Sequence, residues 1–254
     1  MVEKIKIHRY KDGEKLEIEE TVIKEIRANL FINGEFFLSI MCMPHDLQEL
    51  AVGFLYSEGI LNKYLDISEI IATPTGNIYV STNSPVDLAP SQDRVLISGC
   101  ASGSVNLAFL KDKNLKKIRS SNRISAQTVT AIMARFSGQS EIFRITGAVH
   151  SASLLFSDGN QLFFEDIGRH NAVDKIVGAA LMRNRNLEDG ILLISGRISS
   201  EIVLKVAKLG IPILISQAAP TSMSVAIANH VDLTLVGFAR GKRFNVYSAS
   251  ERIY

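Results

Sequence analysis

The spacing of apolar and polar residues changes along this chain, and each change predicts a different element. Residues 3–9 alternate polar and apolar, as a half-buried strand does. Residues 21–43 read as two strands joined at Asn33-Gly34, a strong hairpin signal, so the front of the chain is predicted to be antiparallel sheet. Pro44 closes that stretch. Asp46 then stands where it can cap a helix whose Leu47, Leu50, Ala51, Phe54 and Leu55 share one face, with Gly59 at its end. Short strands are expected at 67–72 and 77–82, followed by the loop NSPVDLAPSQD. Residues 94–98 read as a strand entering the small-residue turn GCASGS and a helical-looking VNLAFL. The stretch 111–124 carries Lys111, Lys113, Lys116, Lys117, Arg119 and Arg123 with little apolar periodicity, which predicts a mobile basic loop. Ser125 can cap a helix that buries Val129, Ile132, Met133 and Phe136.

From residue 141 the pattern becomes regular. Residues 141–156 resemble strand, turn and strand with His150 in the middle, and Asp158-Gly159 makes a hairpin turn into 161–167. Helices at 171–184, 199–209 and 221–230 alternate with strands at 191–195, 211–216 and 233–238, and a last strand lies at 243–248. Strands separated by single helices pair in parallel through right-handed crossovers. The predicted class is mixed α/β. Its organisation is an N-terminal antiparallel portion plus helix over 1–93, a cysteine turn and basic loop over 94–124, and an α/β core over 125–254.

Candidate chemistry gathers where the strands of the second half end. The first such junction is Gly168-Arg169-His170-Asn171, with Asp166, Asp174 and Lys175 close by. The next carries Ser195, Gly196, Arg197 and Ser199, another carries Thr221, and the last runs Ala239-Arg240-Gly241-Lys242-Arg243. If the strands are parallel, all these ends share one edge of the sheet. Arginine forks and exposed helix N–H groups there suit an anionic ligand with several phosphates or carboxylates. Neither a GxxxxGK[ST] nor a GxGxxG motif is present, so the usual ATP and dinucleotide signatures are missing.

Cys100 is the second focus. It follows a strand and sits among Gly99, Ala101, Ser102, Gly103 and Ser104, small residues that leave a sulfur accessible. A thiol near a helix start and cationic side chains ionises readily, and the thiolate is the nucleophile. Cys42, inside LSIMCMP, fits an inert packed thiol. His8, His45, His150, His170 and His230 lack metal-ligand spacing, so no metal site is expected. His150 is a plausible acid-base or ligand group, although a structural histidine is the commoner case. No G-x-S-x-G elbow supports a serine hydrolase.

Composition narrows the classes. A net charge of +2 gives no reason to expect nucleic-acid binding, and no apolar run approaches a membrane span. The N-terminal twenty residues carry charges where a signal peptide needs an apolar centre, and two cysteines make no disulfide framework. A cytoplasmic protein with free thiols is expected.

The runs TGAVHSASLLF at 146–156 and FFEDIGRHNAVDKIVGA at 163–179 resemble the FdhD family, the formate dehydrogenase accessory sulfurtransferases. ISGRISSEIVLKVAKLGIPILIS, APTSMSVAIA and LTLVGFARGKRFNVYSASERI match it in order to the chain end, and PHDLQELAVGFLYSEGI and SGCASGS extend the resemblance forward. The resemblance implies a cytidine-deaminase-like three-layer core and a homodimer, with Phe238 to Phe244 near its two-fold interface. It implies a sulfur carrier that accepts a persulfide from a cysteine desulfurase. The sulfur passes to the molybdenum bis-molybdopterin guanine dinucleotide cofactor of formate dehydrogenase, and a guanine nucleotide can mimic that ligand. Cys100 falls on the persulfide cysteine, and Phe238 to Arg243 fall on the stretch associated with cofactor contact. Many relatives carry C-x-x-C in this turn, whereas Gly103 takes the second position here. Two readings therefore stay open: a persulfide carrier, and a chaperone that binds the cofactor without sulfur chemistry.

Overall fold

The computed structural model describes residues 1–86, 94–96 and 115–254. The chain opens with a two-stranded antiparallel ribbon, β1 (Val2–Lys11) and β2 (Glu14–Ile23). It turns at Asp12-Gly13, where both residues take positive φ, 53° and 87°. The sequence pattern predicts only the first of these strands, although Asp12-Gly13 is the same kind of signal as Asn33-Gly34.

A five-stranded sheet follows in the order β5-β6-β3-β4-β7. Its strands are β3 (Ile26–Ile32), β4 (Glu35–Cys42), β5 (Ile67–Ala72), β6 (Asn77–Thr82) and β7 (Arg94–Leu96). The hairpins β3–β4 and β5–β6 are antiparallel, as expected for this portion, but β3 meets β6 and β4 meets β7 in parallel. Parallel neighbours need a crossover, and α1 (Leu47–Ser57) lies within both the β3-to-β6 and the β4-to-β7 connections. Its Leu47, Leu50, Ala51, Phe54 and Leu55 cover Leu30, Ile32, Leu38, Ile40, Ile78 and Val80. Asp46 precedes this helix but does not cap it with its side chain. At φ 56° and ψ 40° it is left-handed, whereas a capping side chain needs extended backbone.

The second half holds a six-stranded sheet in the order β13-β12-β11-β10-β8-β9. The elements are α2 (Ala126–Ser137), α3 (Glu141–Thr146), β8 (His150–Phe156), β9 (Gln161–Asp166), α4 (Arg169–Met182), β10 (Gly190–Ile194), α5 (Ser200–Lys208), β11 (Ile213–Ser216), α6 (Ser222–Val231), β12 (Thr234–Arg240) and β13 (Arg243–Ser248). Alternate residues divide between two layers. Leu154, Leu192, Leu214 and Leu235 pack beneath α4, α5 and α6, while Leu193, Ile213, Ile215 and Val236 pack beneath Val129, Met133 and Phe136 of α2. This is the three-layer α/β core expected.

Two segments differ from the sequence reading. Residues 141–146 form a helix rather than a strand, because Ser140 Oγ accepts from Phe143 N and Gly147 at φ 66° ends the turn. Within the predicted basic loop, residues 115–124 are tied down instead of mobile. Ile118 is buried and donates to Val231 O, Arg252 donates to Ile118 O, and Ile124 bridges Ile253. Residues 111–114 lie outside the described residues, as do Cys100 and its turn.

The two sheets meet through α1 and α4, which cross at glycines. A Cβ on Gly53 would stand 1.8 Å from Asp174 O, and one on Gly178 would stand 1.9 Å from Glu49 O. Backbone therefore lies on backbone at this crossing. Among the described residues, no helix is long and apolar enough to cross a membrane.

Candidate functional site

β8 is antiparallel to both β9 and β10, and β10, β11 and β12 are mutually parallel. β9 to β12 therefore point the same way, and their ends share one edge of the sheet with the start of β8. The edge predicted from the strand-end residues forms, with His150 inserted in its middle.

The loops along it are joined by backbone bonds. Ile198 N donates to Ala219 O, Thr221 N to Ile198 O, Gln217 N to Ile194 O, and Phe238 N to Ala218 O. Ser195 Oγ accepts from Ser151 N at 2.9 Å and lies 3.4 Å from His150 Nδ1. Gly196 lets two side chains approach: a Cβ there would lie 3.2 Å from Arg169 Cβ and 3.3 Å from His150 Nδ1. Arg169, His150 and the Ser195-Gly196 turn are thus one cluster.

A cleft of about 700 Å³ opens at this edge, lined among others by Ser137, Phe143, His150, Ser195, Gln217 and Arg240. Arg240 Nε donates to Gln217 O at 2.7 Å, so its fork is fixed at the rim. Arg240 pairs directly with Arg243 across the β12–β13 ladder, and Lys242 sits in the turn between them. Like charges opposite one another repel, which suits an anion lying over them. Phe238 precedes this turn at φ 53°, an outlier for a bulky residue, and its ring is 38% exposed. Arg197 is exposed, while Ala239 is buried and contributes backbone only.

Buried polar atoms without a partner among the described residues mark the starts of α4 and α5. Among those residues nothing hydrogen-bonds Arg169 Nε, His170 Nε2 or Ser199 Oγ, and Ser199 occupies the N-cap of α5 without capping it. His170 Nε2 stands 3.4 Å from Glu201 Oε2, but this is not an ion pair. Burial first, then Lys205, Arg169 and His150, hold the His170 pKa down at about 3, so the ring is neutral near pH 7. Burial also lowers the pKa of His150, helped by Arg169 and Arg197, and burial raises that of Glu201.

Other predicted site residues turn inward. Asn171 Nδ2 donates to Asp166 Oδ1 at 2.8 Å and to Met41 O at 2.9 Å. Gly168 N donates to Asp166 Oδ1 at 3.0 Å. Asp166 Oδ2 accepts from Met43 N at 3.1 Å and Lys175 Nζ at 2.8 Å. This buried set clamps the end of β4 to the start of α4. Thr221 caps α6 by accepting from Ser224 N. Cys42 is buried, and its pKa is pushed up to about 12 by burial and then by Asp166, which makes it a poor nucleophile.

Cys100 lies outside the described residues, but β7 ends four residues before it. Leu96 pairs with Ile40, one residue before Met41, so β7 points along β4 toward the Asn171–Asp166 clamp. Cleft-lining residues absent from the predicted set include Ser137, Phe143 and Gln217; His150 is read from sequence as a plausible acid-base or ligand group, with a structural role the commoner case. Gln217 directly follows β11 and was open to the same strand-end argument. Phe143 and Ser137 arrive from α3 and α2, which no local motif signals.

The FdhD/NarQ family model matches residues 23–254. The chain is 40% identical to the sulfur carrier protein FdhD of Bacillus pumilus, covering 97% of this chain and 95% of that protein. It is 38% identical to the sulfur carrier protein FdhD of Wolinella succinogenes, covering 99% and 89%. A solved structure described as a formate dehydrogenase accessory protein, from Desulfotalea psychrophila, superimposes with a TM-score of 0.82 at 28% identity, covering 100% of this chain and 99% of that one. With the fold matched along its length and the family pattern running from residue 23 to the C-terminus, the chain belongs to the FdhD/NarQ family.

Proposed function

We propose that this protein is a sulfur carrier serving formate dehydrogenase, loading sulfur on Cys100 and holding the acceptor at the strand-end edge. The observation that carries the acceptor site is the set of buried polar atoms on Arg169, His170 and Ser199 that find no partner among the described residues. They stand on the same edge as Arg197, Arg240, Lys242 and Arg243. Such groups are costly to leave unpaired, and an anionic ligand supplies the missing partners. The names of the relatives, sulfur carrier protein and formate dehydrogenase accessory protein, support the same reading.

The acceptor is the molybdenum bis-molybdopterin guanine dinucleotide, handled as substrate, and a free guanine nucleotide occupies part of its site. Its phosphates match the arginine forks, and its base has room in the cleft. The donor is a cysteine desulfurase. The Cys100 thiolate attacks the outer sulfur of the donor persulfide, a new S–S bond forms, and the donor cysteine leaves as a thiolate. No net oxidation occurs in that step. The protein works in the cytoplasm as a homodimer.

A second reading, a cofactor chaperone without sulfur chemistry, is favoured by Gly103, which leaves the turn with one cysteine. One experiment separates the two. After incubation with desulfurase and free cysteine, the intact mass of the wild type and of Cys42→Ser should rise by one sulfur, while Cys100→Ser gains none. If Cys100→Ser still supports active formate dehydrogenase in a strain lacking the protein, the carrier reading falls and the chaperone reading stands.

A further inference from the structure

Gln217 lines the strand-end cleft directly after β11, and its backbone is held on both sides. Its N–H donates to Ile194 O at 3.3 Å, and its carbonyl accepts from Arg240 Nε at 2.7 Å. The following residue is held as well, since Ala218 N donates to Ser216 Oγ and Ala218 O accepts from Phe238 N. A side chain on a backbone this constrained is pre-organised for recognition.

The side-chain amide is fixed too, and in one sense. Gln217 Nε2 donates to Ser137 Oγ at the end of α2. Ser137 has a single hydroxyl proton, and it goes to Met133 O at 2.7 Å, so Ser137 can only accept from the amide. The amide nitrogen is thereby committed to Ser137, and Oε1 is left as the acceptor. Among the described residues no group donates to it. Phe143 brings an aromatic side chain, 54% exposed, to the same cleft, and Arg240 supplies a cation at its rim. A flat ring, a directed acceptor and a cation are what a nucleotide base and its phosphates require.

We propose that Gln217 is the residue that reads the base of the bound nucleotide, with Oε1 accepting from N1–H of guanine. The inference rests on the guanine-nucleotide reading of this edge, and it names the group that makes the edge selective. Guanine carries a proton on N1. Adenine has a lone pair there, which would face the lone pairs of Oε1, and its C6 amine reaches that oxygen only if the base shifts across the cleft. A site built to accept a proton rejects the analogue that lacks it. Ser137 is a positioning residue, because it decides which end of the amide meets the base.

Titration calorimetry with guanosine, inosine and adenosine diphosphates tests this, with pyrophosphate as the probe of the phosphate grip and circular dichroism to confirm folding. The wild type should bind guanosine diphosphate about tenfold or more tightly than adenosine diphosphate. Inosine diphosphate keeps N1–H and should bind within about threefold of guanosine diphosphate. Gln217→Leu retains the backbone carbonyl that anchors Arg240, so its pyrophosphate affinity should not change, while its preference for guanosine over adenosine should fall to about threefold or less. Gln217→Glu keeps an acceptor and should keep the preference. Ser137→Ala lets the amide turn and should lower the preference partway, without altering adenosine diphosphate affinity. Equal affinity of the wild type for the three diphosphates would overturn the assignment and leave the phosphate edge standing. So would a Gln217→Leu variant that still prefers guanosine. Binding of none of the diphosphates would remove the nucleotide reading of the edge, and this inference with it.

Discussion

Helix α4 presents two kinds of polar chemistry within its first two turns. Inward, Asn171, Asp174 and Lys175 are all partnered. Lys175 pairs with Asp166 and also donates to Glu165 O, and Asp174 receives two bonds from Lys205 and one from Ser57. Outward, Arg169 and His170 keep buried nitrogens with no partner among the described residues. Both sets look alike in sequence, a run of charged and amide residues after a strand. The inner set holds α1, β4, β9 and α5 in place, and the outer set is where the proposed ligand would bind.

Breaking the inner set should cost most. Lys175→Met leaves the fully buried Asp166 carboxylate without its cation, and the expected loss of folding stability is roughly 3–5 kcal/mol, measured by denaturant unfolding. Gly178→Ala strikes the same core through shape, because its Cβ would fall on Glu49 O at 1.9 Å. Helices α1 and α4 must separate, at a cost of about 1–3 kcal/mol or more. The smallest effect tests the outer set by proton linkage. His170 stays neutral in the folded chain down to about 3, while the unfolded chain takes up the proton near 6.5. Between those values the unfolded state binds more protons, so this contribution is complete above about pH 6.5 and falls away as pH drops toward 3. His170→Gln should reduce the slope of the stability profile between pH 6.5 and 5, with the remainder due in part to His150, which burial also holds below its ordinary value; an unchanged profile would show that the ring is not held neutral.

Much of this was legible in sequence because it was local. Asn33-Gly34 and Asp158-Gly159 placed hairpins, Ser125 placed the start of α2, and the alternation of helix and strand after residue 190 placed the sheet edge. What failed to show was non-local. Residues 141–146 read as strand until the Ser140 cap is seen, and the basic stretch at 115–124 is anchored by Val231, Arg252 and Ile253 from the far end of the chain. The dual character of α4 was equally hidden. The sequence groups Asn171 with Arg169 as a ligand contact, and nothing in it says that Met41 O and Asp166 take up the Asn171 amide. Phe143 and Ser137 reach the cleft only through folding of α3 and α2 around it.

The claim that the outward face is completed by an anionic nucleotide is tested most directly by titration calorimetry with guanosine diphosphate. The wild type should bind. Arg169→Ala, Arg197→Ala and Arg240→Ala should each lose a charge-assisted contact worth about 1.5–3 kcal/mol, a weakening of roughly tenfold or more. For Arg197→Ala, on an exposed side chain, the unfolding temperature should stay unchanged. Affinity equal to wild type in all three variants would contradict the account.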